Sequence, residues 1–160
     1  MLTDINRETE WLGETIRLAT ESVENGGGPF GALIADSERV IAIGTNRVTA
    51  NLDPSAHAEV TAIRAACAEL GSFTLAGCVL VSSCEPCPMC LTTALWARVD
   101  RVLYAGDRED AARAGFDDRA FYELFEKPRS SWDVPVQKVS TVDGFTPFSA
   151  WLNHSERIEY

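Results

Sequence analysis

Residues 57–90 read HAEVTAIRAACAELGSFTLAGCVLVSSCEPCPMC, and the organisation of this stretch decides the fold. His57 to Leu70 is rich in Ala, Glu, Ile and Arg and is closed by Gly71, which predicts a helix. Cys78 to Ser82 is a short run of strand-forming residues. Pro86 or Pro88 can open a further helix through Met89, Leu91, Leu95 and Trp96, because proline is tolerated in a first helical turn. Arg101 to Ala105 then predicts another strand. A strand-helix-strand crossover returns in the same direction, so these two strands should lie parallel.

Upstream, Trp11, Leu12, Thr15, Ile16, Ala19 and Val23 recur at helical spacing and predict an amphipathic helix over about 7–24, stopped by Gly26-Gly27-Gly28-Pro29. Phe30 to Ala35 and Val40 to Thr45 are apolar runs separated by Asp36-Ser37-Glu38-Arg39, the pattern of a hairpin. Thr49 to Ser55 is polar and reads as a connection. Downstream come an acidic helical region around Glu109 to Phe125, a loop through Trp132, a short run from Val134 to Val139 that predicts a last strand, and a terminal helix containing Phe148, Trp151 and Leu152. No internal repeat interrupts this order. Residues 1–160 therefore predict a single α/β domain of three layers, with helices on both faces of a mixed central sheet of about five strands.

Composition narrows the function. The chain has 160 residues, 46% apolar and 24% charged, which excludes disorder and is the profile of one ordinary globular domain. Its formal charge is −10, with 5 Lys and Arg against 11 Asp and Glu up to residue 80 and 9 against 13 beyond it. Neither half can neutralise a polyanion broadly, so no nucleic-acid partner is expected. Apolar runs fall far short of a membrane span, and no basic-then-apolar leader precedes Trp11, so the expected location is cytoplasmic. Five cysteines, an odd number, favour metal ligation or burial over a disulfide framework.

The residues that carry chemistry are His57-Ala58-Glu59 and Pro86-Cys87-Pro88-Met89-Cys90, each at the start of a predicted helix. One imidazole and two thiolates suit zinc, and three protein ligands leave a fourth tetrahedral position for water. Cys87 and Cys90 are one helical turn apart, so both sulfurs can aim at one point, and the positive end of the helix favours thiolate. Glu59 can stand beside the metal without ligating it and carry protons. The combination of H-x-E with P-C-x-x-C is the signature of zinc deaminases. A structural zinc site closed by Cys84 as a fourth thiolate is the alternative, while Cys67 and Cys78 fall on predicted apolar faces. His154 reads as a surface residue near a helix end.

With these residues in place, the sequence resembles the cytidine-deaminase-like superfamily and, within it, the small bacterial guanine deaminases. The resemblance extends through Gly27-Gly28-Pro29-Phe30-Gly31-Ala32, Asn46, Asp53-Pro54-Ser55-Ala56-His57-Ala58-Glu59-Val60, Ser83 to Cys90, Ala114-Gly115-Phe116-Asp117-Asp118 and the ending Glu159-Tyr160. It implies the cytidine-deaminase-like fold and hydrolytic conversion of guanine, a purine base, to xanthine and ammonia. The implied metal ligands are His57, Cys87 and Cys90, holding one Zn2+ per subunit. Glu59 and Asp118 are the implied catalytic residues. Asn46, Phe30, Ala58, Trp96 and Tyr160 would meet the substrate, with Asn46 bonding the base and Phe30 and Trp96 flanking its ring. The resemblance also implies a homodimer in which the segment from about 145 to 160 is exchanged, placing Tyr160 over the partner's site. Structural readings stand beside these roles: Phe30 and Trp96 as core, Asn46 as a turn residue, Asp117-Asp118 as a helix cap and Tyr160 as a frayed end. The superfamily motif alone also admits other substrates: cytosine, cytidine, a pterin, a triazine or adenosine in transfer RNA.

Overall fold

Alternation along the strands sorts the core into two faces. The computed structural model describes residues 2–140 and 143–160, which form two compact units, Met1–Tyr122 and Glu123–Tyr160. In the first unit the elements run α1 (Leu2–Glu24), β1 (Gly31–Ala35), β2 (Val40–Thr45), α2 (Val48–Asn51), α3 (Ala58–Leu70), β3 (Val79–Cys84), α4 (Pro88–Trp96), β4 (Arg101–Gly106) and α5 (Arg108–Arg113), followed by the start of α6 (Arg119–Glu126). The strands form one mixed sheet in the order β2-β1-β3-β4. β1 pairs antiparallel with β2 and β3, and β3 pairs parallel with β4 across the α4 crossover, as the spacing predicts.

Successive strand side chains point to opposite faces. Ala32, Ile34 and Leu80 therefore pack with Ala62, Ile63 and Ala66 of α3 and Ala94 of α4. Leu33, Ala35 and Val81 face the other way, against Trp11 and Leu12 of α1. This is the three-layer α/β/α arrangement. The hairpin turn is fastened by Asp36, whose Oδ1 accepts from the amides of Glu38 and Arg39, each at 2.8 Å.

One close approach sets the position of α3. A Cβ on Gly44 of β2 would stand 2.3 Å from the Ala58 carbonyl oxygen and 2.5 Å from the Ala62 nitrogen, so only glycine lets the helix backbone lie against the strand here. The start of α3, and with it His57 and Glu59, is thereby seated beside the end of β3.

The sheet has four strands among the described residues, not five. Val134 to Val139 forms no strand: Pro135 lacks an amide donor, and Val134, Val136 and Val139 are exposed. The acidic region is likewise two helices, α5 and α6, interrupted around Gly115. The second unit carries a short 3₁₀ turn (Arg129–Ser131) and α7 (Thr146–Asn153). Within it Phe125 meets Trp132 edge-on at 5.5 Å, and the Trp132 indole donates to the Lys127 carbonyl at 3.2 Å. Phe148, Leu152 and Ile158 are exposed, and His154 is a surface residue just beyond α7, as expected. No helix among the described residues is long and apolar enough to cross a membrane.

Candidate active site

Two helix starts converge on one point. His57 immediately precedes the first turn of α3, and Cys87 occupies the same position before α4, with Cys90 in that helix's first turn. Both His57 and Cys87 have extended backbone, which turns their side chains in front of the helix ends. The two sulfurs are 3.6 Å apart, and His57 Nδ1 lies 3.6 Å from Cys87 Sγ and 3.5 Å from Cys90 Sγ. Tetrahedral zinc with two sulfurs and one nitrogen would space its ligand atoms by about 3.5–3.8 Å. The triangle fits zinc in donor chemistry and in size.

Charge within the triangle is strongly coupled. The neighbouring Cys90 thiol, and after it His57, draws the Cys87 thiol far below its ordinary range, and the same sulfur contact together with burial pushes Cys90 up. Cys87 in turn raises the imidazole of His57. Cys84 stands apart: its Sγ donates to the Asp107 carbonyl oxygen at 3.6 Å, and burial raises its thiol to about 11. It is not part of the ligand triangle, so the alternative of a four-ligand structural site is not what the structure forms. Cys67 and Cys78 line the apolar core, as their positions predict.

Glu59 is 4% exposed and lies at the edge of the triangle. Its Oε1 accepts from the Ser82 hydroxyl at 3.2 Å, and its Oε2 accepts from Cys90 Sγ at 3.4 Å. Burial raises its carboxyl above the ordinary value of 4.5, which suits a group that must both take and give a proton. Ala58, between His57 and Glu59, is fully buried, and its amide is among those a helix start leaves without an intrahelical partner.

A cavity of about 620 Å³ opens over these residues, a volume in the range of small-molecule sites. Phe30 and Phe116 form one wall, edge to face with centroids 5.0 Å apart. Phe30 also packs against the core while it lines the cavity. Phe116 had no role assigned from sequence, and only its place in the Ala114-to-Asp118 run hinted at one. Asn46 lines the cavity while its Oδ1 accepts from the Val48 amide at 3.2 Å, so it is a turn residue as well as a wall residue. Of the two aspartates, Asp117 caps the start of α6, accepting from the Arg119 amide at 3.1 Å. Asp118 is different. Its Oδ1 is buried without a hydrogen-bond partner among the described residues, and burial followed by the nearby Cys87 raises its carboxyl.

Trp96 does not reach the cavity. It is 61% exposed, because six residues of helix carry it about 9 Å along α4 and turn it about 120° from the face that presents Cys90. Tyr160 belongs to the second unit, where it is 72% exposed and meets Trp151 edge-on at 6.3 Å. The lining of the cavity comes from residues between Gly26 and Phe121.

Residues 5–106 match the cytidine and deoxycytidylate deaminase zinc-binding region. The chain belongs to this deaminase family. The match takes in Asn46, His57, Glu59, Cys87 and Cys90 and ends before Asp118. Beyond the family match, the chain is 48% identical over 157 residues to a guanine deaminase of Bacillus subtilis, covering 98% of this chain and 100% of that one. The X-ray structure of guanine deaminase from Bacillus subtilis superposes with a TM-score of 0.92 at 47% identity, over 95% of this chain and 98% of that one. A tRNA-specific adenosine deaminase of Buchnera aphidicola is 29% identical over 119 residues, covering 74% of this chain and 79% of that one.

Proposed function

We propose that this member of the deaminase family is a zinc-dependent guanine deaminase, converting guanine and water to xanthine and ammonia. The observation that carries the reading is the near-full-length similarity to a guanine deaminase, which continues beyond residue 106, where the family match stops, and through the second unit. His57, Cys87 and Cys90 hold the metal. Zinc bound there supplies a Lewis acid that lowers the pKa of water and makes hydroxide available near neutral pH.

The chain's own residues do the rest. Glu59, buried and held through Oε1, takes one proton from the attacking water and gives it to the ring nitrogen beside C2, then takes the second from the new C2 hydroxyl and gives it to the departing amine. The C2–O bond forms first, the C2–N bond then breaks, and ammonia leaves with the second proton as the C2 hydroxyl becomes the carbonyl of xanthine. Asp118, with an unpartnered buried oxygen, accepts a hydrogen bond from the exocyclic amine. Asn46 donates to the purine edge, Phe30 and Phe116 wall the ring, and the Ala58 amide faces the substrate.

The charge of the cavity supports a neutral base over a phosphorylated substrate. Arg108 lies in its wall but is engaged by Glu85, while Glu59, Asp117 and Asp118 are all acidic. A phosphate would meet carboxylates and no free guanidinium. The five cysteines, none in a disulfide, support a reducing compartment such as the cytoplasm.

The proposal extends to a homodimer with residues from about 145 to 160 exchanged, so that the whole chain of 160 residues works as one domain and Tyr160 closes the partner's site. The apolar side chains left exposed on Phe148, Leu152 and Ile158 support it, because exchange would cover them. The deciding experiment is ammonia release by zinc-replete protein offered guanine, cytosine, adenine, cytidine, a pterin and transfer RNA side by side. Ammonia with xanthine from guanine alone is the expected result. Silence on guanine with release from another substrate overturns the assignment of the base.

A further inference from the structure

The segment that delivers Cys87 has little means of holding itself. Pro86 and Pro88 have no amide hydrogens, so of residues 86–88 only Cys87 can donate from its backbone. The Cys87 and Pro88 carbonyls are taken up within α4, accepting from Leu91 N at 2.9 Å and Thr92 Oγ1 at 2.7 Å. The Pro86 carbonyl is taken by a side chain thirty-six residues later: Tyr122 Oη donates to it at 2.9 Å. Above the Tyr122 ring lies the Arg108 guanidinium, 4.1 Å from the centroid. Arg108 Nε donates to both carboxylate oxygens of Glu85 at 3.1 Å, and its terminal nitrogen also bonds Glu85 Oε1. Glu85 is further tied through its amide to the Gly106 carbonyl at 2.8 Å and through Oε2 to the Arg108 amide at 3.2 Å. The two residues before Cys87 are thus held from outside, one by its side chain and one by its carbonyl.

We infer that Tyr122 and Arg108 are positioning residues for the metal ligand Cys87, acting through Pro86 and Glu85 as a clamp that fixes the approach of its sulfur to His57 and Cys90. The inference rests on the reading of those three residues as the zinc site. It assigns work to residues well outside the ligand motif. Arg108 does this as a planar fork that pairs with a carboxylate on one side and stacks on a ring on the other, which lysine cannot reproduce.

The test uses the whole protein loaded with cobalt, whose visible d–d absorption reports ligand geometry, and with zinc in competition with a chromogenic chelator. Tyr122→Phe removes one oxygen and keeps the ring under Arg108. It should shift the cobalt bands and lose zinc to the chelator about fivefold more readily, the size of one net hydrogen bond. Arg108→Lys should move both readouts in the same direction, and kcat should fall in both variants while KM for guanine holds. Unchanged cobalt bands with unchanged zinc retention in Tyr122→Phe overturn the clamp, whether or not Arg108→Lys folds. A wild-type chain that fails to bind one metal ion per chain overturns instead the zinc-site reading beneath it.

Discussion

The Ser82 hydroxyl donates to Glu59 Oε1 across 3.2 Å, with both side chains almost fully buried. The contact follows from strand alternation: Ser82 lies two residues beyond Leu80 on the face of β3 turned toward α3. By engaging one oxygen, Ser82 leaves the other facing Cys90. Ser82→Ala should leave zinc content intact and lower kcat about tenfold, the cost of leaving a buried charged acceptor without its donor. Ser82→Thr should recover most of it. Glu59→Gln should keep zinc while turnover falls by about a thousandfold, as loss of a general acid-base group requires. Zinc analysis beside xanthine formation checks both, and near-normal turnover of Glu59→Gln would sink the proton-transfer role.

A second prediction concerns acid. The Arg108 guanidinium holds the Glu85 carboxyl below its ordinary value of 4.5. A carboxyl lowered by folding contributes stability that is complete above its unfolded value and is lost as pH falls through its folded value. Glu85→Gln should therefore lower Tm by about 3 °C at neutral pH, equivalent to about 1 kcal/mol for this partly exposed pair. The difference from wild type should close progressively below pH 4.5. A gap that persists unchanged at pH 3 would show that packing of the side chain, not its charge, stabilises the loop.

How much of this was legible in sequence depended on whether a residue's neighbours were local. His57 with Glu59, and Cys87 with Cys90, lie within single helix starts, so spacing alone brought each pair together. The parallel β3-α4-β4 unit followed from the handedness and direction of crossovers. For Trp96, membership of α4 says nothing about which way the side chain faces until the angle around the helix axis is counted. Val134 to Val139 is a short valine-rich run, yet such a run gives no hydrogen-bond ladder by itself. Four-residue α2 gave too short a pattern to read. Phe116, Tyr122 and Arg108 meet the site through tertiary placement, and no local signal announces that.

Gly44 offers a test of the frame that seats the site. An alanine there would drive its methyl group into the backbone of α3, at distances of 2.3 and 2.5 Å that no rotamer can relieve. Gly44→Ala should destabilise by about 3 kcal/mol, near 10 °C in Tm. It should also reduce zinc retention, because α3 carries His57. A variant that melts like wild type would mean that α3 shifts freely, and that the glycine does not set its position.

The C-terminal residues separate stability from turnover. Ile158 and Tyr160 are 69% and 72% exposed, so removing them sacrifices little burial within one chain. Deleting Ile158 to Tyr160 should leave Tm within about 2 °C and lower kcat/KM at least about tenfold, the loss of more than about 1.4 kcal/mol of transition-state binding. A fully active truncation would return Tyr160 to an ordinary chain end.

The orientation of Asn46 is open to a gentler perturbation. Val48 occupies its Oδ1, so the carboxamide offers its Nδ2 hydrogens to an acceptor on the purine edge. Across from it, a Cβ on Gly28 would lie 3.2 Å from Asn46 Cγ and 3.4 Å from both terminal atoms, close enough to displace the amide by a few tenths of an ångström. Gly28→Ala should raise KM for guanine about threefold to tenfold with kcat nearly unchanged, since a displaced donor weakens binding in ground and transition state alike. Asn46→Ala should raise it further, and neither variant should lose zinc, because both positions are remote from the ligand triangle in sequence and bonding. Steady-state kinetics on guanine, run beside zinc analysis, distinguish this from a fold defect. An unchanged KM in Asn46→Ala would remove Asn46 from recognition of the base, and Gly28 with it.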